Sequence, residues 1–242
     1  MPEPEAAKAA VDGPAHGPLE ATALLVLGLV AGFGIAHLDQ NPSTVSGSVL
    51  PLLLFLAWTA PAYALASRRG RDPLLAHAVL VRPHDLRPAT LVSLTLLLLF
   101  VLGFFVHARA SGLTPGPTPP GDVVRSALEW LTWGLVFVAL PEEYFFRGVL
   151  QPAFDRPGGR VVRVLGADLG RGALVSAVAF GLGHVALDLA VHGATAPLRV
   201  ATVLPGLWFA WLRARTGSVL PAAVAHAAAN AVAFACHEVV AR

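Results

Sequence analysis

The chain is short of charge. Only 13% of its 242 residues are Asp, Glu, Lys or Arg, against about 25% in a soluble domain. A water-soluble fold cannot hide the 55% that are apolar, and the mean hydropathy is +0.66, so the solvent this sequence asks for is a bilayer. Lysine is nearly missing: Lys8 stands alone, and the remaining cations are arginines. With the abundance of Ala, Gly and Pro, this reads as the coding bias of a GC-rich bacterium and not as a binding signal. A formal net charge of +2 gives no reason to expect a nucleic-acid partner. The single cysteine, Cys236, excludes a disulfide framework and any CxxC metal or redox motif. Missing too is a basic stretch followed at once by a short apolar run, the mark of a cleavable signal. Residues 1–18 are therefore expected to form a disordered cytoplasmic tail, with the first apolar segment kept as an anchor.

What the sequence does hold is a succession of apolar runs near the ~20 residues that a spanning helix needs. About seven are expected: 21–37, 46–66, 89–106, a fourth from about 126 that passes Leu140 into a charged end, 173–191, 197–212 and 219–240. The fold class is thus all-α, a polytopic membrane helical bundle over residues 19–242. The third run is the cleanest, unbroken from Leu96 to Leu102, and the sixth is the weakest because it holds Arg199 and Pro205. Arginines crowd alternate connections: Arg68, Arg69, Arg71, Arg82 and Arg87, then Arg156, Arg160, Arg163 and Arg171, then Arg213 and Arg215. The positive-inside rule then puts the N-terminus inside and the C-terminus outside, in a bacterial cytoplasmic (inner) membrane. No internal repeat is evident, so the inverted-repeat signature of many transporters is missing.

Ionisable groups in hydrocarbon are expensive, and three clusters ask for a reason. Glu142 and Glu143, with Arg147, close the fourth run. Adjacent helical carboxylates point about 100° apart and cannot share one role. The i,i+4 spacing pairs Glu143 with Arg147 and leaves Glu142 to face a cavity. The plainer reading is an interfacial helix end with a salt bridge. His184 follows Phe180, Gly181 and Gly183, about 12 residues into the fifth run and roughly 18 Å deep. The glycines admit another helix or a substrate. Asp188, one turn further on, is placed to accept from the imidazole and fix its tautomer. A lone histidine bonded to a backbone carbonyl would be packing alone. His226 and Asn230 share one face of an alanine-rich seventh run, as a functional pair or as polar glue between helices. Each cluster is weak by itself. Together they bring one acid, two imidazoles and one amide to the inner half of the bilayer.

Read jointly, Glu142-Glu143…Arg147, Phe180…His184 and His226…Asn230 spell EExxxR, FxxxH and HxxxN in order. The stretch from about Trp130 to Phe234 resembles the CPBP family of intramembrane proteases, which includes the CaaX-prenyl endopeptidases and bacteriocin-processing proteins. That resemblance implies an intramembrane, glutamate-dependent endopeptidase with its catalytic core at about 126–240. Its partners would be a hydrophobic or membrane-anchored peptide or protein substrate and membrane lipids. It implies that Glu142 and His184 activate a water, that His226 and Asn230 hold the oxyanion, and that Glu143, Arg147 and Phe180 support them. Asp188 lies outside the shared pattern. Peptide hydrolysis needs a base for water and donors for the developing charge, and this set offers both. The family reading involves no cofactor. Zinc is the alternative, held by Glu142, His184 and His226, although no HExxH appears. A proton-relaying transporter or a non-catalytic scaffold would use the same polar residues. Cys236 and Ser176 sit in no nucleophile motif. Size and composition resemble the myxosortase type, sorting peptidases that trim a hydrophobic C-terminal tail.

Overall fold

The computed structural model describes residues 14–38, 49–79, 83–116, 118–155, 158–192 and 200–241. Among the described residues seven helices carry the apolar runs in order: α1 Pro18–Leu38, α2 Val49–Arg68, α3 Leu86–Ala110, α4 Pro120–Phe154, α5 Arg171–His192, α6 Val203–Thr216 and α7 Leu220–Val239. The fold is helical, as the apolar pattern requires. By length and apolarity α3, α4 and α7 qualify as membrane spans, while α1 and α5 hold shorter apolar stretches, Pro18–Ala31 and Arg171–Ala186. The chain is an integral membrane protein. Its apolar surface fits that solvent: Leu91, Leu94, Leu98, Leu99 and Leu102 of α3 are all exposed.

Two expectations need correction. The sixth run begins late. Residues 197–199, with Arg199, lie outside the described residues, 200–202 form a 3-10 turn, and α6 continues past Leu212 to Thr216. Gly217, at φ +70°, stops it in the left-handed conformation that glycine adopts without strain. The expected tail also ends early. Residues 1–13, with Lys8, lie outside the described residues, but Ala15 and His16 are buried, so the segment before α1 belongs to the fold.

α4 is one rod with two widened turns, π-helical at Leu135–Ala139 and Tyr144–Leu150. Proline explains both. A helical proline has no N–H, and its ring collides with the carbonyl four residues back. For Pro141 and Pro152 those carbonyls belong to Phe137 and Gly148, and each lies inside one of the widened turns. The helix makes room by taking an extra residue per turn instead of breaking. Glu142 and Glu143 sit between the two widenings.

Short strands close the two ends. β1, Thr114–Pro115, pairs antiparallel with β4, Val240–Ala241, joining the loop after α3 to the end of α7. β2, Val162–Val164, pairs with β3, Ala167–Leu169, around Leu165 and Gly166, both at positive φ as a tight hairpin turn demands. Such brief strands leave no periodicity in the sequence. The hairpin docks on α6, where Trp211 Nε1 donates to the Val164 carbonyl (2.9 Å) and Arg215 to the Gly166 carbonyl (2.6 Å). At that same end Arg215 reaches Asp85 (3.6 Å), and the amides of His84 and Val219 donate to the carbonyls of Thr216 and Ala78. Connections rich in arginine thus gather at one end. The deepest core, with Phe145, Phe146, Phe180, Phe209 and Leu212 each at most 2% exposed, lies where α4, α5 and α6 meet.

Candidate active site

Glu143 is the hub. Its side chain is fully buried on α4, with one carboxylate oxygen 3.0 Å from Arg147 Nε and the other 3.0 Å from His226 Nδ1 on α7. The i,i+4 pair read from the spacing is formed. Arg147, also with no exposed surface, donates to the Gly206 carbonyl of α6 (2.9 Å). Its guanidinium lies 4.7 Å from the Phe180 ring centre and 5.5 Å from that of Phe209. A buried charge needs this many partners, because removing it from water is otherwise prohibitive.

The bond from Glu143 fixes the chemistry of His226. A carboxylate paired to arginine can only accept, so His226 carries its proton on Nδ1. Nε2 is then a lone pair in the neutral ring and a donor only in the charged ring. That nitrogen points at Glu142, 4.0 Å from Oε2. Glu142 is 15% exposed, and its Oε2 is buried without a hydrogen-bond partner. The His226 ring is stacked on Phe209 at 4.9 Å and meets the edge of Phe180 at 5.6 Å.

His184 enters from α5. Its Nδ1–H donates to the Phe180 carbonyl, four residues back, at 2.9 Å. This backbone bond sets the tautomer that the sequence assigned to Asp188, whose side chain lies outside the described residues. A carbonyl one turn back on the same helix is within reach of any imidazole that bends toward the N-terminus. His184 Nε2 is left as an acceptor. Phe180 touches both imidazoles, its ring 4.4 Å from that of His184. The flanking glycines do admit neighbours: Gly181 is covered by Val203 of α6, and the space beside Gly183 opens on Leu29 of α1. Asn230, half-buried one turn after His226, makes no hydrogen bond among the described residues, and none joins Glu142 to His184 there.

The structure therefore brings Glu142, Glu143, Arg147, Phe180 and His226 into direct contact, with His184 reached through Phe180 and Asn230 through its helix. Phe209 and Gly206 of α6 complete the setting. Neither carries a sequence signal, because stacking and carbonyl donation leave no motif. Ser176 gives its hydroxyl to the Phe146 carbonyl (2.7 Å) and ties α5 to α4, while Cys236 is a buried free thiol. Among the described residues no group of three or more His, Cys, Asp or Glu side chains is assembled closely enough to hold a metal ion.

Residues 125–232 match the family model for type II CAAX prenyl endopeptidase, Rce1-like. That segment is similar to an Rce1-like domain. All three motifs fall inside the match, which runs from the first turns of α4 through most of α7 and leaves α1 to α3 outside it. The match, which spans under half of the chain, supports a CPBP-type intramembrane peptidase, a hydrolase, in that segment. No curated protein and no solved structure matches the chain.

Proposed function

We propose that the Rce1-like domain hydrolyses a peptide bond in a membrane-anchored chain by a water that Glu142 activates. The observation that carries this is the Glu142 Oε2, buried, without a partner, and 4.0 Å from His226 Nε2. That gap is too long for a direct hydrogen bond and wide enough for a water bound off the line between them. Glu142 takes the proton as the water oxygen bonds to the scissile carbonyl carbon. The carbonyl electrons move onto oxygen, and Asn230, free to donate, meets that oxyanion. His226 helps from Nε2 in its charged form, held by Glu143. Collapse breaks the C–N bond, and Glu142 returns the proton to the leaving amine. His184, whose Nε2 makes no hydrogen bond among the described residues, holds the water from the second side.

The substrate class is a lipid-anchored or otherwise hydrophobic peptide, with a prenylated CAAX peptide as the form the family description names. A sorting tail on a secreted bacterial protein fits the same site. The arginine-rich end faces the cytoplasm, and all seven helices lie in or against the inner membrane.

A second reading has one observation behind it. Both imidazoles give Nδ1–H to an acceptor, a carbonyl for His184 and a carboxylate for His226, and so offer Nε2 lone pairs. Metal-bound histidines are held in this way. Against it stands the separation of the donors described above.

The test is cleavage of a farnesylated, fluorescence-quenched CAAX peptide by protein in lipid nanodiscs. Glu142→Gln and His184→Ala are expected to abolish turnover with unchanged abundance and membrane insertion. Turnover that survives both substitutions overturns the reading. Inhibition by a chelator, reversed by added zinc, replaces the metal-free mechanism with the second. If the probe is left intact by the wild type, the membrane proteomes of cells with and without Glu142→Gln name the substrate through the species that accumulates uncut.

A further inference from the structure

Apart from the site, the most buried titratable side chains among the described residues are two histidines, His16 and His77, each 1% exposed. His16 precedes α1, and His77 follows a helical turn, Pro73–Ala76, in the connection between α2 and α3. Their Nε2 atoms are 3.0 Å apart, and the rings stack at 17°. His77 Nδ1 meets the Tyr144 hydroxyl at 2.5 Å. At the other end His16 Nδ1 lies 3.3 Å from Glu20, whose two oxygens each accept from Arg69 at 2.9 Å. With both rings neutral, one proton arrangement suits the series. His16 Nδ1 makes no hydrogen bond, and its approach to the Glu20 carboxylate is electrostatic and favours the proton on that nitrogen; His16 then accepts at Nε2, His77 donates from Nε2 and accepts at Nδ1, and Tyr144 donates. The run of bonds joins three separate parts of the chain and ends on the residue after Glu143.

Two close approaches extend it. A Cβ on Gly148 would stand 2.8 Å from the His77 carbonyl oxygen, so α4 comes this near only because residue 148 is glycine. Further along α1, Leu24 is buried and Leu25 and Leu29 pack on the core. Beside Gly183, the residue before His184, the nearest atoms to an added Cβ are those of Leu29 at 3.5 Å and Phe146 at 3.9 Å. α1 is thus fastened at its base next to the carboxylate pair, and its middle lies against the histidine helix.

We propose that α1, outside the matched segment 125–232, forms a wall of the catalytic cleft, and that the buried series Tyr144–His77–His16–Glu20 is the positioning device that holds it there. Its catalytic consequence rests on the peptidase reading, whereas the fastening itself does not. These residues touch no reacting atom; they act through the seat of α1 on α5 and of α4 on the loop that holds His77.

The experiment is hydrogen exchange read by mass spectrometry on the full chain in nanodiscs, for wild type, Tyr144→Phe and His77→Ala, with cleavage of the farnesylated peptide measured alongside. Tyr144→Phe keeps the ring and removes one hydroxyl, so folding is retained. Leaving a buried acceptor unpaired is expected to speed exchange about 5- to 100-fold at amides 24–31 and 180–187 together, while 222–232 keep their protection. His77→Ala is expected to do so more strongly, and both to lower kcat with KM within about twofold of wild type. Unchanged protection of α1 in both variants overturns the fastening, as does an equal loss across α7. Faster exchange with unchanged kcat overturns the cleft wall. Should the wild type leave the peptide intact, the farnesylated peptide is excluded as substrate and the exchange pattern alone supports or overturns the fastening.

Discussion

At Glu143 one carboxylate serves two partners, and neither of them has another acid in contact at hydrogen-bonding distance. Glu142 and Glu143 should therefore fail differently. Glu142→Gln removes the base and leaves the fold intact. Glu143→Gln strands the buried guanidinium of Arg147 and frees the His226 ring, and breaking a buried pair in this way costs about 3–5 kcal/mol. Thermal unfolding in detergent separates the two: a large fall in Tm is expected for Glu143→Gln and none for Glu142→Gln, and equal falls would dismiss the division of roles. Spacing was enough to pair Glu143 with Arg147, since both lie on one helix. It was not enough to pair Glu143 with His226, because a contact between helices depends on how each is rotated about its axis. Spacing also said nothing of the bond from His184 to the Phe180 carbonyl, because a carbonyl one turn back belongs to every helix regardless of side chain.

α4 works as an element because its prolines distort it. The widened turns on either side of Glu142 and Glu143 change the rotation at which the pair meets α7. Pro141→Ala restores an N–H and relieves the collision with the Phe137 carbonyl, so the helix is expected to regularise and the protein to gain stability, by up to about 3 kcal/mol. The carboxylates would then turn away from His226, and peptide cleavage should fall at least tenfold. Measuring Tm and kcat on the same preparation checks this; a variant both more stable and fully active would refute it. The apolar runs located seven helices among the described residues, with the starts of α4 and α6 each off by about six residues, because hydropathy is summed over a whole segment and blurs its ends. The widened turns and the hairpin at Val162–Leu169 escaped, since a proline within an apolar run reads equally as a kink, and three-residue strands have no period to detect.

Over the whole molecule, the arginine-rich connections meet at one end, and the buried histidines lie there too. Burial pushes His77 down to about 3 from an ordinary 6.5, and the neighbouring His16 acts in the same direction. The unfolded chain therefore takes up a proton below pH 6.5 that folded His77 refuses. Its contribution to stability is fully present above that pH and is lost as pH falls toward 3, with a slope of up to about 1.4 kcal/mol per pH unit. Unfolding midpoints across pH 7 to 4 should be steeper for wild type than for His77→Phe, and parallel curves would remove His77 as the cause. The sidedness of the membrane has its own check, and Cys236 supplies it. The only thiol in the chain is 5% exposed on α7. Folded protein should thus stay dark to an impermeant maleimide. A cysteine introduced at Arg163 or at Gly112 would then light up alone, from the cytoplasmic face for the first and the opposite face for the second. Nature has in effect furnished a blank sheet for site-specific labels, with no prior mutation needed to silence it.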